Sequence, residues 1–380
     1  MKYRFTVLSL VVLMSLSGYS QGVWTWMHGE KAANINRVYG TRGVPAAGNT
    51  PGGRIGASYW TDRQGNLWLF GGKGNNGLIG NGVFNDLWMY NTSTNQWAWM
   101  GGDKDLSPGG VFVEKGQASE DNKPGGRQNA VSWVDNAGNF WLFGGLGMPS
   151  HAADDDDDID LLDQPAFLND LWKYSPSNGQ WTFVSGTADV DERGVYGDVS
   201  VGSPSNYPGG RYSASGWKDK GGNLWLFGGR GYSSRNAIGQ LDDVWKYSPS
   251  NNVWTWMSGD EQGDAERRYG QKGSFADANT PGGRHGCMSW TDNNGNFWLY
   301  GGGTQVDLFA DLWRYDFNSG RWAWISGGNG ANQQPKYSKI GLAEEDAHPG
   351  ARTLSAVWVD EADDVWLFGG NGYGGLAGSD

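Results

Sequence analysis

The sequence predicts an all-β protein that consists of repeated copies of one four-stranded unit. All 23 tryptophans fall on positions of a single internal repeat, and a lattice of large side chains at a regular period indicates stacked supersecondary units. The 64 glycines and the 14% of aromatic residues are typical of a turn-rich β protein, whereas disordered chains are poor in aromatics. The first Trp of each copy lies six residues after the Arg of a Pro-Gly-Gly-Arg or Pro-Gly-Ala-Arg motif, at Trp60, Trp133, Trp217, Trp290 and Trp358.

Each copy of the repeat is predicted to form four strands, as the first copy illustrates. The first strand runs from Arg54 to Trp60. The second covers 66–72, where Leu-Trp-Leu-Phe leaves no polar face, so that this strand is expected to be buried on both sides. The third covers 86–90 and the fourth 96–100. Sheets that stack face to face would bury the second strand in this way.

Two connections in each copy are short and two are long. The turn after the first strand contains Asp62 and Gly65; Asp can bond its own turn backbone, and Gly takes a positive φ. The connection from a fourth strand to the next Pro-Gly motif has a constant length, and the connection from the second to the third strand takes up the length variation. Alternate connections of a meander emerge on the same face, so both long connections are expected on one face, where function is also expected. We call it the long-loop face; its variable segments are 73–85, 146–169, 230–242 and 303–310.

The repeat resembles the kelch repeat. A di-glycine closes the second strand at Gly71-Gly72, a Tyr lies in the third strand at Tyr90, and a Trp lies in the fourth at Trp97. The resemblance extends from Val23 to Gly370. Within the family, the chain is similar to the long-blade kelch proteins that bacteria export. It implies a kelch-type β-propeller of four-stranded blades, the fold that galactose oxidase also contains, with four complete blades and a partial fifth in this chain. It does not imply one activity, because one fold hosts many functions.

The ends of the chain give an expectation about its length. Val23 to Met27 has the pattern of a fourth strand, and kelch propellers commonly close their ring with a terminal strand. The last residues, 378–380, align with 84–86, where a third strand begins. We expect 21–380 to be a propeller that is truncated at its C-terminus, and a natural five-bladed ring is the alternative. A longer reading frame that continues with Leu-Trp or Val-Trp would support truncation.

The first twenty residues have the pattern of a secretory signal peptide. Two positive charges precede an apolar stretch from Phe5 to Ser17, and small residues follow up to Ser20, which predicts cleavage near Ser20. The mature protein is therefore expected to be secreted, at the cell surface or in the periplasm. No second apolar run is long enough to span a membrane, and Cys287 is the single cysteine, so no disulfide forms within the chain. A net charge of −12 argues against nucleic acid as a partner.

The motif arginines are the first candidate binding residues. They stand at the start of the innermost strands, where a collar of cations at the mouth of a central channel would suit carboxylates or acidic sugars. The alternative is structural: each Arg braces its blade against the Asp that enters the third strand, at Asp86, Asp170, Asp243, Asp311 or Asp380. The five arginines are Arg54, Arg127, Arg211, Arg284 and Arg352.

Tyr212 and His285 break the repeat on the inner strands and are the second candidates. Both follow a motif Arg directly, at a position where the other copies have Ile55, Gln128 and Thr353. Galactose oxidase needs two His, two Tyr and a Cys for its copper site, but the four histidines here are scattered and Cys287 takes the place of small residues in the other copies. We therefore expect neither a catalytic residue nor a resident metal in the propeller, although His285 and Cys287 alternate onto the same side of one strand.

Two further features lie in the long connections. The aspartates between Asp154 and Asp163 could hold Ca²⁺, but they lack the ordered pattern of an EF-hand, and a run of like charges is usually a solvated loop. An aromatic residue recurs at one position of the interblade loops. These rings either stack on sugars or pack each loop onto its blade, and the constant loop length favours packing; they are Tyr39, Phe112, Tyr196, Tyr269 and Tyr337.

Together these features favour a secreted, non-enzymatic kelch propeller that binds a protein or a glycan through its long-loop face. One alternative is a carbohydrate-active enzyme similar to the kelch propellers that interconvert sialic acid anomers, with the arginine collar and a carboxylate base. A galactose oxidase-like enzyme is less favoured. A third hypothesis is an adhesion module of a larger protein.

Overall fold

The computed structural model describes residues 25–75, 80–150 and 165–374, and the secondary structure in these ranges is entirely β. Four sheets each contain four antiparallel strands in the sequential order of a meander. A fifth copy of the repeat contributes a two-stranded hairpin. The predicted architecture of four complete blades and a partial fifth is therefore confirmed. The predicted signal peptide, the tract from Asp154 to Asp163 and Asp380 lie outside the described residues.

The strands of each blade, in order from the channel outwards, have the following bounds. The first blade comprises Ser58–Thr61, Leu67–Phe70, Leu87–Asn91 and Gln96–Gly101; the second Val131–Val134, Phe140–Gly147, Ala166–Ser175 and Gln180–Ser185; the third Ser215–Lys218, Leu224–Tyr232, Ile238–Ser248 and Val253–Ser258; the fourth Met288–Thr291, Phe297–Tyr300, Asp311–Asp316 and Arg321–Gly327; and the hairpin Ala356–Val359 and Val365–Phe368. Eight short strands accompany them: Arg54–Ile55, Lys73–Asn75, Asn81–Val83, Ala118–Ser119, Arg127–Gln128, Arg211–Tyr212, Arg352–Thr353 and Asn371–Gly372.

The first strand differs from its prediction, because it is broken two residues after the motif Arg. The residue at this position has a positive φ in every blade, as at Gly56 (65°) and Ser213 (52°). The break turns its backbone towards the neighbouring blade. The amide of Asn129 donates to the carbonyl of Gly56 (2.7 Å), Ser213 to Asn129 (2.9 Å), Gly286 to Ser213 (2.7 Å) and Leu354 to Gly286 (2.9 Å). A chain of backbone hydrogen bonds thus links the five blades around the channel.

Aromatic side chains fill the space between blades. The ring of Trp60 stacks on Phe140 of the second blade, with 5.2 Å between centroids and an interplanar angle of 7°, and its Nε1 donates to the carbonyl of Trp141 (3.3 Å). Trp217 repeats this contact with Phe297 of the fourth blade at 5.4 Å and 4°. Offset aromatic pairs contribute about 0.5–1.5 kcal/mol beyond their buried area. The second strands of the second, third and fourth blades are therefore covered on both faces, as their sequence predicts, whereas Leu67 in the first blade is 47% exposed.

The hairpin of the fifth copy leaves one apolar face open to solvent in the structure. Trp366 and Phe368 are 52% and 60% exposed, whereas their equivalents in the first blade, Trp68 and Phe70, are 4% and 1% exposed. The difference arises because the second blade covers the first, while no described blade follows the hairpin.

The interblade loops pack onto the outer strand of the blade that they enter. Residues of these loops pair with the fourth strand, as Ala46 with Trp97 and Ser203 with Trp254, and so cover an edge that would otherwise be free to pair. Tyr196 is 4% exposed and packs against Trp245 and Trp256. The packing interpretation of the loop aromatics is thereby confirmed for four of the five, whereas Tyr337 is 65% exposed.

The connections between second and third strands are of two kinds. In the second and third blades the strands continue past the di-glycine as a long hairpin, so much of the segments that the sequence predicts as loops is paired strand. In the first and fourth blades the second strand ends at Phe70 and Tyr300. In the first blade the chain pairs again beyond the di-glycine, where Lys73–Asn75 pairs with Asn81–Val83, so the feature that sets the second and third blades apart is that their long hairpins are continuous. No helix in the described part of the chain is long and apolar enough to cross a membrane.

Asp242, in the third blade, occupies a buried position where the first two blades have Asn85 and Asn169. Burial, together with the nearby Asp243 and Asp260, raises the pKa of Asp242 to about 6. The native state therefore keeps a proton that the unfolded chain loses near pH 4, and the carboxylate lowers stability as the pH rises from about 4 to 6.

We predict that Asp242→Asn stabilises the protein by about 1–3 kcal/mol above pH 6. The amide can still accept from the amide N–H of Asp260, which lies 3.0 Å from Oδ1. The gain should shrink towards pH 4, as measured by urea unfolding across this range. Asp198→Asn, at an exposed position, is the control. An equal gain at pH 4 and pH 7.5 would contradict the titration of Asp242.

Candidate functional site

A buried ion pair stands at the long-loop end of each complete blade. In the third blade, Nη1 and Nη2 of Arg211 donate to the two carboxylate oxygens of Asp243, at 2.6 and 2.8 Å. Nη1 also donates to the carbonyl of Gly228 in the di-glycine (3.1 Å). The same bidentate geometry joins Arg54 to Asp86, Arg127 to Asp170 and Arg284 to Asp311.

The carboxylate of each pair receives further hydrogen bonds from aromatic side chains. Trp245 Nε1 and the Tyr196 hydroxyl both donate to Asp243 Oδ2, at 2.8 and 2.7 Å. Burial alone would raise the pKa of the equivalent Asp311. Arg284 and the donors from Trp313 and Tyr269 instead hold that pKa below its ordinary value. The carboxylate of Asp311 is thus ionised, and both of its oxygens accept hydrogen bonds.

This arrangement is the one that the bracing interpretation of the motif arginines describes. The side chains of Arg127, Arg211 and Arg284 are at most 1% exposed, and none of the five arginines lines the central cavity. In the fifth copy, Arg352 donates to the carbonyl of Gly369 (3.0 Å). A ligand-binding role for these arginines stays a prediction, and it would require a ligand to compete with the Asp.

The innermost strands of the five copies line a central cavity of about 840 Å³. Small side chains line its middle, one from each copy: Ala57, Ala130, Ala214, Cys287 and Ser355. Burial raises the pKa of the Cys287 thiol to about 12, so the thiol stays protonated. The channel wall is therefore uncharged at the cysteine that breaks its symmetry.

The structure separates His285 from Cys287. Gly286 between them has a φ of 65°, which interrupts the alternation of the strand, so only Cys287 lines the cavity. No three His, Cys, Asp or Glu side chains among the described residues are grouped so that they could hold a metal ion. The two residues therefore do not form the shared site that strict alternation predicts.

A polar row crosses three strands of the third blade at the channel mouth. Tyr212 pairs with Arg230, and Arg230 pairs with Gln240; directly paired residues on adjacent strands point to the same face of a sheet. Gln240 is 8% exposed. Gln240 faces the fourth blade, because its Oε1 lies 2.9 Å from Nδ1 of His285, whereas the ring of Tyr212 lies near both Phe167 of the second blade and His285 of the fourth.

His285 completes this row from the fourth blade. The Gln240 carbonyl oxygen accepts from Nδ1, which places the ring proton there and leaves Nε2 as an acceptor. Burial, and the charge of Arg230, lower the pKa of His285, so the imidazole is neutral at pH 7. Its ring centroid lies 6.1 Å from that of Tyr212. We call Tyr212, Arg230, Gln240 and His285 the mouth cluster.

Aromatic side chains border the mouth cluster on the side of the second blade. Phe167 lies 5.6 Å from Tyr212 and meets Tyr232 edge-on at the same centroid distance. Sequence reasoning finds Tyr212 and His285 but misses Phe167, Arg230 and Gln240. Those three lie in segments predicted as variable loops, and only the strand register of the long hairpins brings them to the mouth.

The architecture consists of several antiparallel four-stranded sheets, which are joined by their inner strands around a channel. Each sheet repeats one pattern of di-glycine, Tyr and Trp. The chain has the fold of a kelch-type β-propeller. The solved structure titled "Structure of YjhT" is similar to it, with a TM-score of 0.49 and 17% identity over 86% of this chain and 80% of that chain. No protein-family model and no curated protein matches the sequence.

We predict that Arg211→Ala destabilises the protein by about 3–5 kcal/mol, because it leaves Asp243 buried without its counter-charge. Chemical denaturation monitored by tryptophan fluorescence measures the loss. Arg235→Ala, at an exposed position in the same blade, should change stability by less than about 0.5 kcal/mol. A loss below 1 kcal/mol for Arg211→Ala would contradict a bracing role.

We predict that Cys287 of the native protein reacts with a thiol reagent such as DTNB at pH 8 about 10³-fold more slowly than in urea. The raised pKa leaves little thiolate, and Sγ lies against Gly302. The reaction is followed by the absorbance of the thiolate that DTNB releases. Comparable rates in the two conditions would contradict a buried, protonated thiol.

Proposed function

We propose that the protein is an exported, non-catalytic module that binds a glycan or a protein through its long-loop face. The observation that supports this most is the loss of repeat symmetry at the channel mouth. The braces, turns and inner walls recur from blade to blade, whereas the mouth cluster and its aromatic border occur at one place. A structural role repeats with the fold, but a ligand contact has no reason to do so.

The chemistry of this place favours a glycan over a protein. Phe167, Tyr212 and Tyr232 offer ring surfaces, and Arg230 and His285 offer a donor and an acceptor beside them. Ring faces with a few polar groups suit a sugar, which presents C–H faces and hydroxyls together. The blades beneath are rigid, so that little conformational entropy is lost on binding.

Export is the second part of the proposal, and it is supported by the pattern of residues 1–20. Expression with the native N-terminus, followed by N-terminal sequencing of the extracytoplasmic protein, tests it. A mature chain that begins just after Ser20 is expected. Recovery of only uncleaved protein inside the cell would contradict export.

We predict that glycan binding, detected on an array and quantified by calorimetry, is lost at least 10-fold in Phe167→Ala. This corresponds to about 1.4 kcal/mol, the size expected for removal of one ring contact. Lys220→Ala, on the opposite short-turn face, should bind like the wild type. Loss of binding in Lys220→Ala but not in Phe167→Ala would place the binding surface on the short-turn face. Binding of a protein without binding of a glycan would favour a protein ligand.

The enzymatic alternative has one observation in its favour, the accessible acceptor at His285 Nε2. Exchange between sugar anomers needs a group that moves a proton. Proton NMR of sialic acid anomers with and without the protein tests this alternative. An acceleration that His285→Gln abolishes would replace the non-catalytic proposal.

A further inference from the structure

Arg230 is a cation without a carboxylate partner in the described part of the chain. None of the ion pairs there includes it, in contrast to the four braced motif arginines. Its guanidinium instead lies against the side-chain amide of Gln305 on the exposed loop of the fourth blade, which accepts a hydrogen bond from it when the amide is oriented with its oxygen towards Arg230. An anion that replaced this amide would gain a charge-assisted, bidentate contact.

Two other groups of the mouth cluster have polar atoms to offer. His285 Nε2 and the Tyr212 hydroxyl make no hydrogen bond to any described residue, while Nδ1 of His285 is held by Gln240. Both rings are partly exposed. Arg230 lies between them in space, because it pairs with Tyr212 in one direction and with Gln240, the partner of His285, in the other.

These positions set a chemical requirement for a ligand. It must carry a carboxylate for the planar guanidinium, a neighbouring hydroxyl that donates to Nε2, and a flat C–H surface for the rings of Tyr212 and Phe167. A sugar ring with a carboxylate attached meets all three conditions, whereas a neutral sugar leaves Arg230 with its amide partner. A protein of net charge −12 also repels such an anion unless a local cation offsets the field.

We propose that the mouth cluster binds a carboxylated sugar residue, of the uronate class, with Arg230 on the carboxylate and His285 Nε2 on an adjacent hydroxyl. Gln305 occupies the carboxylate position in the free protein and gives it up to the ligand. This inference rests on the proposed function and adds the ligand class and the residues that select it.

The test uses trigalacturonate and its methyl ester as matched ligands in titration calorimetry. The wild type should bind the acid at least 10-fold more tightly than the ester. Arg230→Gln should weaken binding of the acid about 10–100-fold, the range for loss of a hydrogen bond to a charged group, and leave binding of the ester unchanged. His285→Gln should weaken binding of both ligands, since both carry the hydroxyl.

The control variant is Lys220→Gln, which removes the same charge on the short-turn face and should bind the acid within twofold of the wild type. Near-ultraviolet circular dichroism shows that each variant is folded. Equal binding of acid and ester, unchanged binding in Arg230→Gln, or tighter binding of a sulfated trisaccharide would each overturn the assignment. If the wild type binds no uronate but another glycan in a manner sensitive to Phe167→Ala, this inference fails and the proposed function stands.

Discussion

The buried pair between a motif Arg and an Asp is the interaction on which each blade depends. In the third blade it joins the entry to the inner strand at Arg211, the di-glycine carbonyl at Gly228, the third strand at Asp243 and, through the hydroxyl of Tyr196, the interblade loop. Removing two charges from water is costly unless every hydrogen-bonding site is used. The pair therefore holds these four segments in one arrangement, because any other would leave a buried charge unsatisfied.

The residues that pack around this pair are of two kinds, depending on the blade. In the first and fourth blades, a Phe two residues before the Asp is covered by a second guanidinium, with Arg37 4.0 Å from the ring of Phe84 and Arg267 4.1 Å from that of Phe309. In the second and third blades, a Leu takes the place of the Phe and a Gly that of the second Arg. The space freed is used by the long hairpins, since the amide of Gly194 donates to Ser233 (2.8 Å). The continuous long hairpins of the second and third blades thus occur together with Gly and Leu at these two positions of the repeat.

The sequence predicts the repeated parts of this molecule well and the unique parts poorly. Strand positions, the Asp62 turn and the packing of Tyr196 recur in several copies, so each is supported by its equivalents. The break after each motif Arg is not predicted, because Gly, Asn, Ser and Leu share that position and only Gly and Asn favour a positive φ. The sequence does not identify Arg230 and Gln240 as site residues. They come close to His285 only through the strand register, and that register depends on pairing across a segment whose length varies between copies. Tyr212 and His285 are found because they depart from their equivalents.

The backbone hydrogen bonds around the channel have a direction: each amide donates to the carbonyl of the blade before it. They join backbone to backbone, so the joint is indifferent to the side chain at the position as long as the residue tolerates a positive φ. A whole blade can therefore be duplicated or deleted in evolution without a new kind of joint. The same indifference frees the residue next to the joint, where Tyr212 and His285 stand, to change without loosening the ring. A propeller built on this joint can acquire specificity at its mouth one side chain at a time.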